Sequence, residues 1–489
     1  MTERLLIIGN GMAGARLVEE IVERGGGDRF SITILGEEPH GNYNRILLSG
    51  VLAGSQDPHD IFLNPLDWYE DNGIALHAGV TVVSIERAAR TVTTSRGTVH
   101  AFDKLVLATG ARPAFPAVQG LYGPDGALKP GIFGFRTISD CETMLAWAQS
   151  ARRVAVVGGG LLGLEAGRGL LERGLEVEIV QRAGRLMNLQ LDAASAAVLR
   201  TSVEKLGMRV HLDASTTRVL GDARPEGLEL GDGGRVECDM VVFATGTRPN
   251  VELATQAGLP VDRGILVDDG MRVLDCEDVY AVGECAQHRG DVYGLIAPAW
   301  EQAVVLADRL TGADPDAEYH GSKLATKLKV SGVELASMGV VEPEHEHDEV
   351  VSFSEPRRGI YKTAIVRDGK LIGAILLGDL TRAPVLTQAF DQGTALPEDR
   401  AALLFDFGNR SSEVNVAQLP EDVTVCHCNG VSRGEIAACM AAGARTLRDV
   451  ATETRATTGC GSCRADVLQV MAAATPVDVR TAERARRAA

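Results

Sequence analysis

Short apolar runs, each followed by a turn of small residues, recur along the first half of the chain. The first run covers residues 5–8 and enters a Gly-x-Gly-x-x-Gly turn that begins at Gly9. A helix is predicted over residues 15–24, and a second apolar run follows at residues 31–35. Apolar runs of this length that alternate with helices are typical of βαβ units in a parallel sheet. The pattern therefore predicts a strand, a helix and a second strand at the start of the chain.

The glycines of this first turn meet separate requirements. Gly9 allows the tight turn, Gly11 lets a pyrophosphate approach the backbone, and Gly14 lets the helix and strand pack closely. The N-terminus of the predicted helix supplies unpaired N–H groups that favour phosphate binding, and Met12 and Ala13 of the turn are predicted cofactor contacts. The alternative is a glycine-rich turn in an unrelated α/β protein.

Polar residues after the second strand are candidates for binding the rest of a nucleotide. Glu37 directly follows that strand, and we choose it over Glu38 as the acid that holds a ribose hydroxyl. Arg45 lies in the next loop, where it is placed to meet a cofactor phosphate. The alternative for Arg45 is a surface arginine.

The same order of elements occurs a second time. An apolar strand at residues 104–108 leads to an Ala-Thr-Gly-x-Arg-Pro turn, and residues 153–157 lead to another glycine turn. A strand near residues 241–244 then ends in the same Ala-Thr-Gly-x-Arg-Pro sequence. Two turns with two matching exits predict two dinucleotide-binding units. The predicted contact residues are Thr109, Gly110 and Arg112 at the first exit, Gly158, Gly160, Leu162 and Gly163 at the second glycine turn, and Gly246 at the second exit.

The two copies differ after their second strand. Where the first copy has an acid, the second has Arg182, with Arg185 close by. A carboxylate at this position favours NAD, whereas an arginine accommodates the 2′-phosphate of NADP. The sequence therefore favours NADPH, and the alternative is that both arginines are solvated surface charges.

A further strand and helix suggest a flavin. Residues 279–282 lead to Gly283 and Glu284, where a carboxylate can face ribityl hydroxyls. The helix that begins near residue 297 contains Trp300, and its N-terminus can face the electron-rich end of an isoalloxazine. These features predict FAD as the ligand of the first glycine turn.

Composition and charge narrow the function classes. The chain has 489 residues, enough for three or four domains, and a net charge of −17, which argues against nucleic acid as a partner. No apolar run approaches the roughly 20 residues that span a membrane, and no signal-peptide pattern is present. We therefore expect a cytoplasmic protein without membrane contacts.

Four of the nine cysteines form a separate pattern near the C-terminus. Cys426 and Cys428 make a Cys-x-Cys pair, and Cys460 and Cys463 make a Cys-x-x-Cys pair. Four thiolates satisfy either tetrahedral zinc or a [2Fe–2S] cluster. Structural zinc usually has two Cys-x-x-Cys knuckles, so the pattern favours the cluster, with zinc as the alternative. His427 lies between two ligands but is not expected to be one.

In order and spacing, the motifs of residues 1–320 resemble the flavoprotein reductases that have two dinucleotide-binding domains. The resemblance implies FAD at the first glycine turn and at Gly283 and Glu284, and NAD(P)H at the second turn. It also implies that Glu165 is the acid beside the nicotinamide. Disulfide reductases of this family carry a cysteine pair soon after the first βαβ unit, whereas this chain has no cysteine before Cys141. Electrons are therefore expected to leave the flavin by another route.

The predicted fold class is α/β, with two Rossmann-like dinucleotide-binding domains, a small α+β interface domain and a small helical [2Fe–2S] domain. The α+β domain has predicted strands at residues 326–330, 361–366 and 371–377, and its position in the family allows a homodimer. The predicted boundaries are 1–112 with 251–319 for FAD, 113–250 for NAD(P)H, 320–410 for the interface domain, 420–475 for the cluster domain and 476–489 for a tail.

The cysteine pattern, with predicted helices at residues 432–442 and 447–452, resembles the bacterioferritin-associated-ferredoxin-like [2Fe–2S] domain. The whole order resembles the electron-transfer subunit of assimilatory nitrate reductase and the N-terminal part of the NAD(P)H nitrite reductase large subunit. This implies electron flow from NAD(P)H through FAD and the cluster to a nitrate or nitrite reductase catalytic protein. Because no second four-cysteine group is present, we expect the nitrate partner. The alternatives are a ferredoxin or rubredoxin reductase and an iron-release partner of bacterioferritin.

Overall fold

The computed structural model describes residues 2–330, 332–405, 416, 420–426, 428–459, 461 and 463–474. Two residues of the cysteine pattern, Cys460 and His427, lie outside the described residues, as does the predicted tail at 476–489.

The strands and helices follow one another in five stretches. The first contains β1 (Glu3–Ile8), α1 (Met12–Glu23), β2 (Phe30–Gly36), β3 (Asn42–Tyr43), α2 (Leu48–Ala53), β4 (Phe62–Asn64), α3 (Leu66–Asp71), β5 (Ala75–Ala78), β6 (Val82–Glu86), β7 (Thr91–Thr94), β8 (Val99–Ala101), β9 (Lys104–Leu107) and β10 (Ala111–Pro113). The second contains β11 (Ile132–Gly134), α4 (Ile138–Ala148), β12 (Arg153–Val157), α5 (Leu161–Glu172), β13 (Glu176–Val180), α6 (Ala193–Lys205), β14 (Arg209–His211), β15 (Thr216–Leu220), β16 (Gly227–Leu230), β17 (Arg235–Val236), β18 (Met240–Phe243) and β19 (Thr247–Pro249).

The remaining stretches are shorter. The third contains α7 (Glu252–Gln256), β20 (Ile265–Val267), β21 (Val279–Ala281), β22 (Ala286–His288) and α8 (Ile296–Thr311). The fourth contains β23 (Ala325–Val330), β24 (Val333–Gly339), β25 (Glu349–Glu355), β26 (Ile360–Arg367), β27 (Lys370–Leu377), α9 (Ala383–Gln392) and α10 (Ala401–Leu404). The fifth contains β28 (Thr424–Cys426), β29 (Val431–Ser432), α11 (Arg433–Ala442), α12 (Leu447–Thr454) and α13 (Arg464–Ala474). None of these described helices is both long enough and apolar enough to cross a membrane.

Two parallel five-stranded sheets form the body of the molecule. Their strand orders are β21-β9-β1-β2-β5 and β11-β18-β12-β13-β14. The central strands of both sheets are buried apolar runs, as expected for parallel sheets covered on both faces. Because β21 comes from beyond the second sheet in the sequence, the first unit is built from two separate parts of the chain.

The first glycine of each turn is required by the backbone. Gly9 has φ +113° and Gly158 has φ +116°, a region that favours glycine. A Cβ at either position would overlap a carbonyl oxygen of the exit strand's turn, that of Ala108 in the first unit and that of Ala244 in the second. The turn therefore passes directly against the neighbouring strand end.

The third glycine of each turn lets the helix pack directly against the backbone of the turn. A Cβ on Gly14 would overlap the carbonyl oxygen of Gly9, and a Cβ on Gly163 would overlap that of Gly158. The middle glycines, Gly11 and Gly160, have no atom within 4 Å of a Cβ placed on them. The three glycines thus have different roles, and only the middle one borders open space.

The two Ala-Thr-Gly-x-Arg-Pro exits pair with each other. Strands β10 and β19 are antiparallel, with Arg112 opposite Arg248. The Thr109 hydroxyl donates to the carbonyl of Asn250 at 2.8 Å, and the Asn250 side chain donates to the carbonyl of Thr109 at 2.8 Å. The sequence repeat predicts both exits but not this pairing, which joins the two units.

The fourth stretch forms an antiparallel sheet in the order β23-β24-β27-β26-β25. The sequence predicts three of these strands and misses β24 and the edge strand β25. The acidic segment before β25 is a loop, in which Asp348 and Glu344 pair with Arg367 at 2.7 and 3.1 Å. These ion pairs attach the loop to the sheet.

The fifth stretch is a small helical unit on a two-stranded ribbon. Its helices α11 and α12 both start with capping boxes, formed by Ser432 with Glu435 and by Thr446 with Asp449. These caps explain why the helices begin where the sequence predicts. Helix α13, which the sequence does not predict, packs on α11.

The glycine turns give a stability prediction. We expect Gly163→Ala to destabilise the intact chain by about 1–3 kcal/mol, because the added methyl group overlaps a backbone oxygen that cannot move away. The matched control Gly160→Ala should cost less than about 1 kcal/mol, since its φ of −83° suits alanine and its Cβ meets no atom. Chemical unfolding of both variants measures the difference, and equal losses would contradict the assignment.

Candidate functional site

A single cleft of about 2230 Å³ runs between the two glycine turns and reaches the cysteine-bearing unit. We call it the central cleft. The residues predicted from sequence that line it are Gly9, Gly11, Met12, Ala13, Glu37, Arg45, Thr109, Gly110, Arg112, Gly158, Gly160, Leu162, Glu165, Arg182, Gly246, Gly283, Glu284 and Cys428. Those that do not line it are Gly14, Gly163, Arg185, Trp300, Cys426 and Cys463. Both dinucleotide turns and one cysteine therefore share one space.

The helices that start at the two turns have uncapped N-termini facing this cleft. At Gly11 and Gly160, the N-cap positions of α1 and α5, no side chain accepts a backbone hydrogen bond, and neither first turn contains an acid. By contrast, Thr137 and Asp192 cap α4 and α6 with their side chains. Bare N–H groups beside an open glycine are what a pyrophosphate needs. The turns therefore fit the dinucleotides predicted for them.

The two acids after β2 have different surroundings. Glu38 accepts hydrogen bonds from the Tyr43 hydroxyl at 2.8 Å and from Arg45 at 2.7 Å. Glu37 is exposed at the cleft wall, and no hydrogen bond or ion pair to its carboxylate occurs among the described residues. This arrangement leaves Glu37 available for a ribose hydroxyl, while Arg45 is already paired with an acid.

Glu284 is held by an arginine that the sequence did not suggest. The Arg136 guanidinium forms a close ion pair with the Glu284 carboxylate at the cleft wall. Burial, together with the positive charge of Arg45, lowers the pKa of Arg136 to about 10. The pair fixes the carboxylate that was predicted to face a ribityl chain. Arg136 lies outside every motif, so no local signal could have identified it.

The predicted acid Glu165 is a buried residue of α5 that lines the cleft. It stands two positions after Gly163, as Arg16 stands two positions after Gly14 in α1. Arg16 does not line the cleft, so of these two equivalent positions only that of Glu165 borders it.

The structure separates the two arginines of the second unit. Arg182 is exposed and lines the cleft. Arg185 instead pairs with Glu342 of the fourth stretch, with Nη1 and Oε1 3.0 Å apart. Only Arg182 is therefore placed to meet a nucleotide phosphate in the cleft.

Trp300 lies between the first glycine turn and the cysteine-bearing unit rather than in the cleft. Its indole N–H donates to the carbonyl of Met12 at 3.1 Å, and the ring is buried. A Cβ on Gly459 would lie 2.8 Å from that ring and would overlap the sulfur of Cys428. Trp300 thus packs between the start of α1 and the residues next to the cysteines.

Three of the four predicted cysteine ligands lie in the described part of the chain, and they converge. Cys426, Cys428 and Cys463 are all buried, and the Sγ atoms of Cys426 and Cys428 are 3.7 Å apart. Hydrogen bonds from Cys428 and Cys463 hold the pKa of Cys426 well below its usual range. A preference for thiolate, in a pocket where Gly459 leaves no room for a side chain, fits a metal cluster held by sulfur.

The cysteine-bearing unit is attached to α1, and to the residue that follows β3, through charged and polar contacts. Arg455 pairs with Glu20 at 2.7 Å, with Glu19 at 3.5 Å and closely with Glu23. The fully buried Asn44 donates to the carbonyl of Thr458 at 2.6 Å and also to that of Gly459. We call this set of contacts the docking interface. None of its side chains belongs to a sequence motif.

Three family profiles match successive parts of the chain. The pyridine nucleotide-disulphide oxidoreductase profile matches residues 3–303, the rubredoxin NAD+ reductase C-terminal domain matches 325–394, and the BFD-like [2Fe-2S] binding domain matches 424–473. The predicted fold class and the predicted cofactors FAD, NAD(P)H and [2Fe–2S] are thereby confirmed. The prediction of an NAD(P)H-dependent oxidoreductase is confirmed as well.

Relatives of known function extend over nearly the whole chain. It is 41% identical over 471 residues to a nitrite reductase [NAD(P)H] of Bacillus subtilis, covering 96% of this chain and 57% of the relative. It is 38% identical over 463 residues to the assimilatory nitrate reductase electron transfer subunit of the same organism, covering 94% and 58%. The chain thus spans less than three fifths of either relative.

A solved structure shares the arrangement of the reductase part. The ferredoxin reductase for the CYP199A2 system of Rhodopseudomonas palustris is 27% identical, has a TM-score of 0.72, and covers 82% of this chain and 97% of its own. Fold, cleft and family profile agree, and the chain belongs to the pyridine nucleotide-disulphide oxidoreductase family.

Proposed function

We propose that this chain carries electrons from NAD(P)H through FAD and a [2Fe–2S] cluster to a partner protein. The observation that carries the proposal is the central cleft, whose wall contains both glycine turns and Cys428. A donor site, a flavin site and a cluster ligand that share one space support transfer between them without a separate carrier. FAD, when bound, supplies the step that converts a two-electron hydride into single electrons.

The residues of the chain would bind and orient the cofactors. The uncapped N-termini of α1 and α5 would hold the phosphates, and Glu37 would hold a ribose. Glu284, held by Arg136, would face the ribityl chain, and Glu165 would stand beside the nicotinamide. We propose the domain boundaries given in the sequence analysis for these units, and a cytoplasmic location.

The proposed partner is the catalytic protein of an assimilatory nitrate reductase. The relative that is named an electron transfer subunit supports this choice, since it matches along 94% of the chain. A nitrite reductase catalytic protein is the second candidate, favoured by the 41% identity to the nitrite enzyme. Reconstitution of NADPH-dependent nitrate or nitrite reduction with each purified partner tests the two candidates.

The flavin site and the four-cysteine pattern together predict the cofactor content of the protein. The purified protein should contain about one FAD and two iron atoms per chain, because one flavin site and one four-cysteine pattern are present. Metal analysis after anaerobic preparation measures this, and zinc in place of iron would contradict the cluster assignment.

The coenzyme preference should depend on Arg182. We expect NADPH to be the better donor, and Arg182→Glu to shift the preference toward NADH by about 1.5–3 kcal/mol, the size of a hydrogen bond to a charged group. Arg185→Gln is the matched control and should change the preference little, since Arg185 pairs with Glu342 outside the cleft. Equal kcat/KM for NADPH and NADH in the unmodified protein would contradict the proposal that Arg182 binds the 2′-phosphate of NADPH.

The path through the cluster should be separable from flavin reduction. We expect Cys428→Ser to keep FAD and to leave flavin reduction by NADPH nearly intact, because no cysteine lies in either glycine turn. The same variant should lose electron delivery to the partner while still reducing small dyes at the flavin. Cys439→Ser is the matched control, since Cys439 lies in the same unit on α11 outside the four-cysteine pattern.

The structural alternative is that Cys428 only stabilises a small domain. Nitrate reduction by FAD-loaded Cys428→Ser at close to the unmodified rate would show that the cluster is not on the path. A similar loss in Cys439→Ser would show that the assay reports folding of the unit rather than electron transfer.

A further inference from the structure

The side chain of Asn429 lies between the cluster cysteines and the flavin-binding unit. Its Nδ2 atom is 3.6 Å from Sγ of Cys426 and 4.0 Å from Sγ of Cys428, both within hydrogen-bonding range for sulfur. On its other side, its Oδ1 accepts from Nη1 of Arg16 at 3.4 Å. Asn429 therefore connects two ligand sulfurs with a residue of α1.

Two neighbouring groups, the carbonyl of Arg455 and the side chain of Arg16, determine which end of the Asn429 amide faces the sulfurs. Nδ2 donates to the carbonyl of Arg455 at 2.6 Å, and a carbonyl requires a donor. Arg16 is a donor only, so it requires the amide oxygen. Both neighbours demand the same orientation of Asn429.

One hydrogen of Nδ2 is then left for the cysteines. An amide has two N–H groups, and one of them is taken by the carbonyl of Arg455. The acceptors within reach of the second include Sγ of Cys426, 3.6 Å from Nδ2, and the hydroxyl oxygen of Thr458, 3.3 Å from Nδ2. A ligand thiolate carries negative charge, and hydrogen bonds to charged acceptors are the stronger ones. Cys426 is therefore the preferred acceptor.

Arg16 is itself held in place. Its guanidinium pairs with Glu20 at 2.7 Å and lies over the ring of Trp300, 5.3 Å from the ring centroid. The side chain is largely buried, so it has little freedom to turn away from Asn429. A fixed cation at Oδ1 polarises the amide and strengthens its N–H donors.

We propose that Asn429 is a positioning residue that raises the reduction potential of the [2Fe–2S] cluster by donating to its cysteine sulfur, and that Arg16 of α1 keeps it in that orientation. Reduction adds one electron, and so negative charge, to the cluster. A hydrogen bond to a ligand sulfur stabilises the reduced form more than the oxidised form. The flavin-binding unit would thereby adjust the electron affinity of the cluster that it feeds.

The test is a mediated redox titration of the full chain, loaded with both cofactors and followed by the EPR signal of the reduced cluster. Asn429→Leu keeps the bulk of the side chain and removes its donors. We expect its cluster to bind the electron about tenfold more weakly, a fall in potential of about 59 mV for one electron. Asn429→Ser has a hydroxyl that is too short to reach the sulfurs, so its cluster should show the same fall in potential. This variant replaces Asn429→Leu in the test if the leucine variant loses its cluster.

The matched control is Arg455→Lys, which disturbs the same docking interface. It keeps the charge and the backbone carbonyl, and it changes no contact to sulfur, so the potential should equal that of the unmodified protein. Arg16→Lys keeps the positive charge but loses the planar fork that reaches Oδ1. Its potential should fall, and the double variant with Asn429→Leu should fall no further than Asn429→Leu alone.

An unchanged potential in an Asn429 variant that retains the EPR signal would overturn the proposal. An equal fall in Arg455→Lys would also overturn it, because the effect would then come from loosened docking. Additive falls in the double variant would overturn the role of Arg16. The proposal rests on the cluster but not on the acceptor, since the titration uses neither NAD(P)H nor a partner. A failed nitrate assay and a failed titration can therefore be told apart.

Discussion

The arrangement of the molecule depends on the contact between helix α1 and the cysteine-bearing unit. One end of α1 forms the uncapped N-terminus at the first glycine turn, and its acids Glu19 and Glu20 bind Arg455 on the opposing unit. Burial raises the pKa of Glu19 despite that pairing, whereas the pKa of Glu20 is lowered because Arg16, Arg24 and Arg455 outweigh the effect of its burial. Buried ion pairs of this kind need close geometry to offset their desolvation. The contact therefore favours one relative position of the two units.

This relative position of the two units brings a predicted cluster ligand to the wall of the central cleft. Gly459 can approach the indole of Trp300 only because it has no side chain, and Trp300 in turn binds the carbonyl of Met12. The cysteine Cys428 then borders the same space as the two dinucleotide turns. The small unit is thus part of the wall of the reductase rather than an appendage beyond it.

The features of the fold and of the site that depend on contacts between residues near in sequence could be predicted from the sequence. The glycines of each turn follow from close contacts within a few residues or with an adjacent strand, so Gly9 and Gly163 are visible as a motif. The capping box at Ser432 likewise predicts a helix start. By contrast, Arg136 and Asn44 act on residues 148 and 415 positions away, and ordinary arginines and asparagines give no signal of such contacts. The packing of Trp300 was hidden from the sequence for the same reason, since its partners Met12 and Gly459 come from opposite ends of the chain.

The measurement that tests the account most directly is reduction of the cluster in the isolated full chain. The protein, carrying both cofactors, is mixed rapidly with NADPH in the absence of any acceptor, frozen at intervals and followed by EPR. The account predicts that the signal of the reduced [2Fe–2S] cluster appears after the flavin absorbance has bleached, without an added mediator. A flavin that is fully reduced beside a cluster that stays oxidised would contradict it.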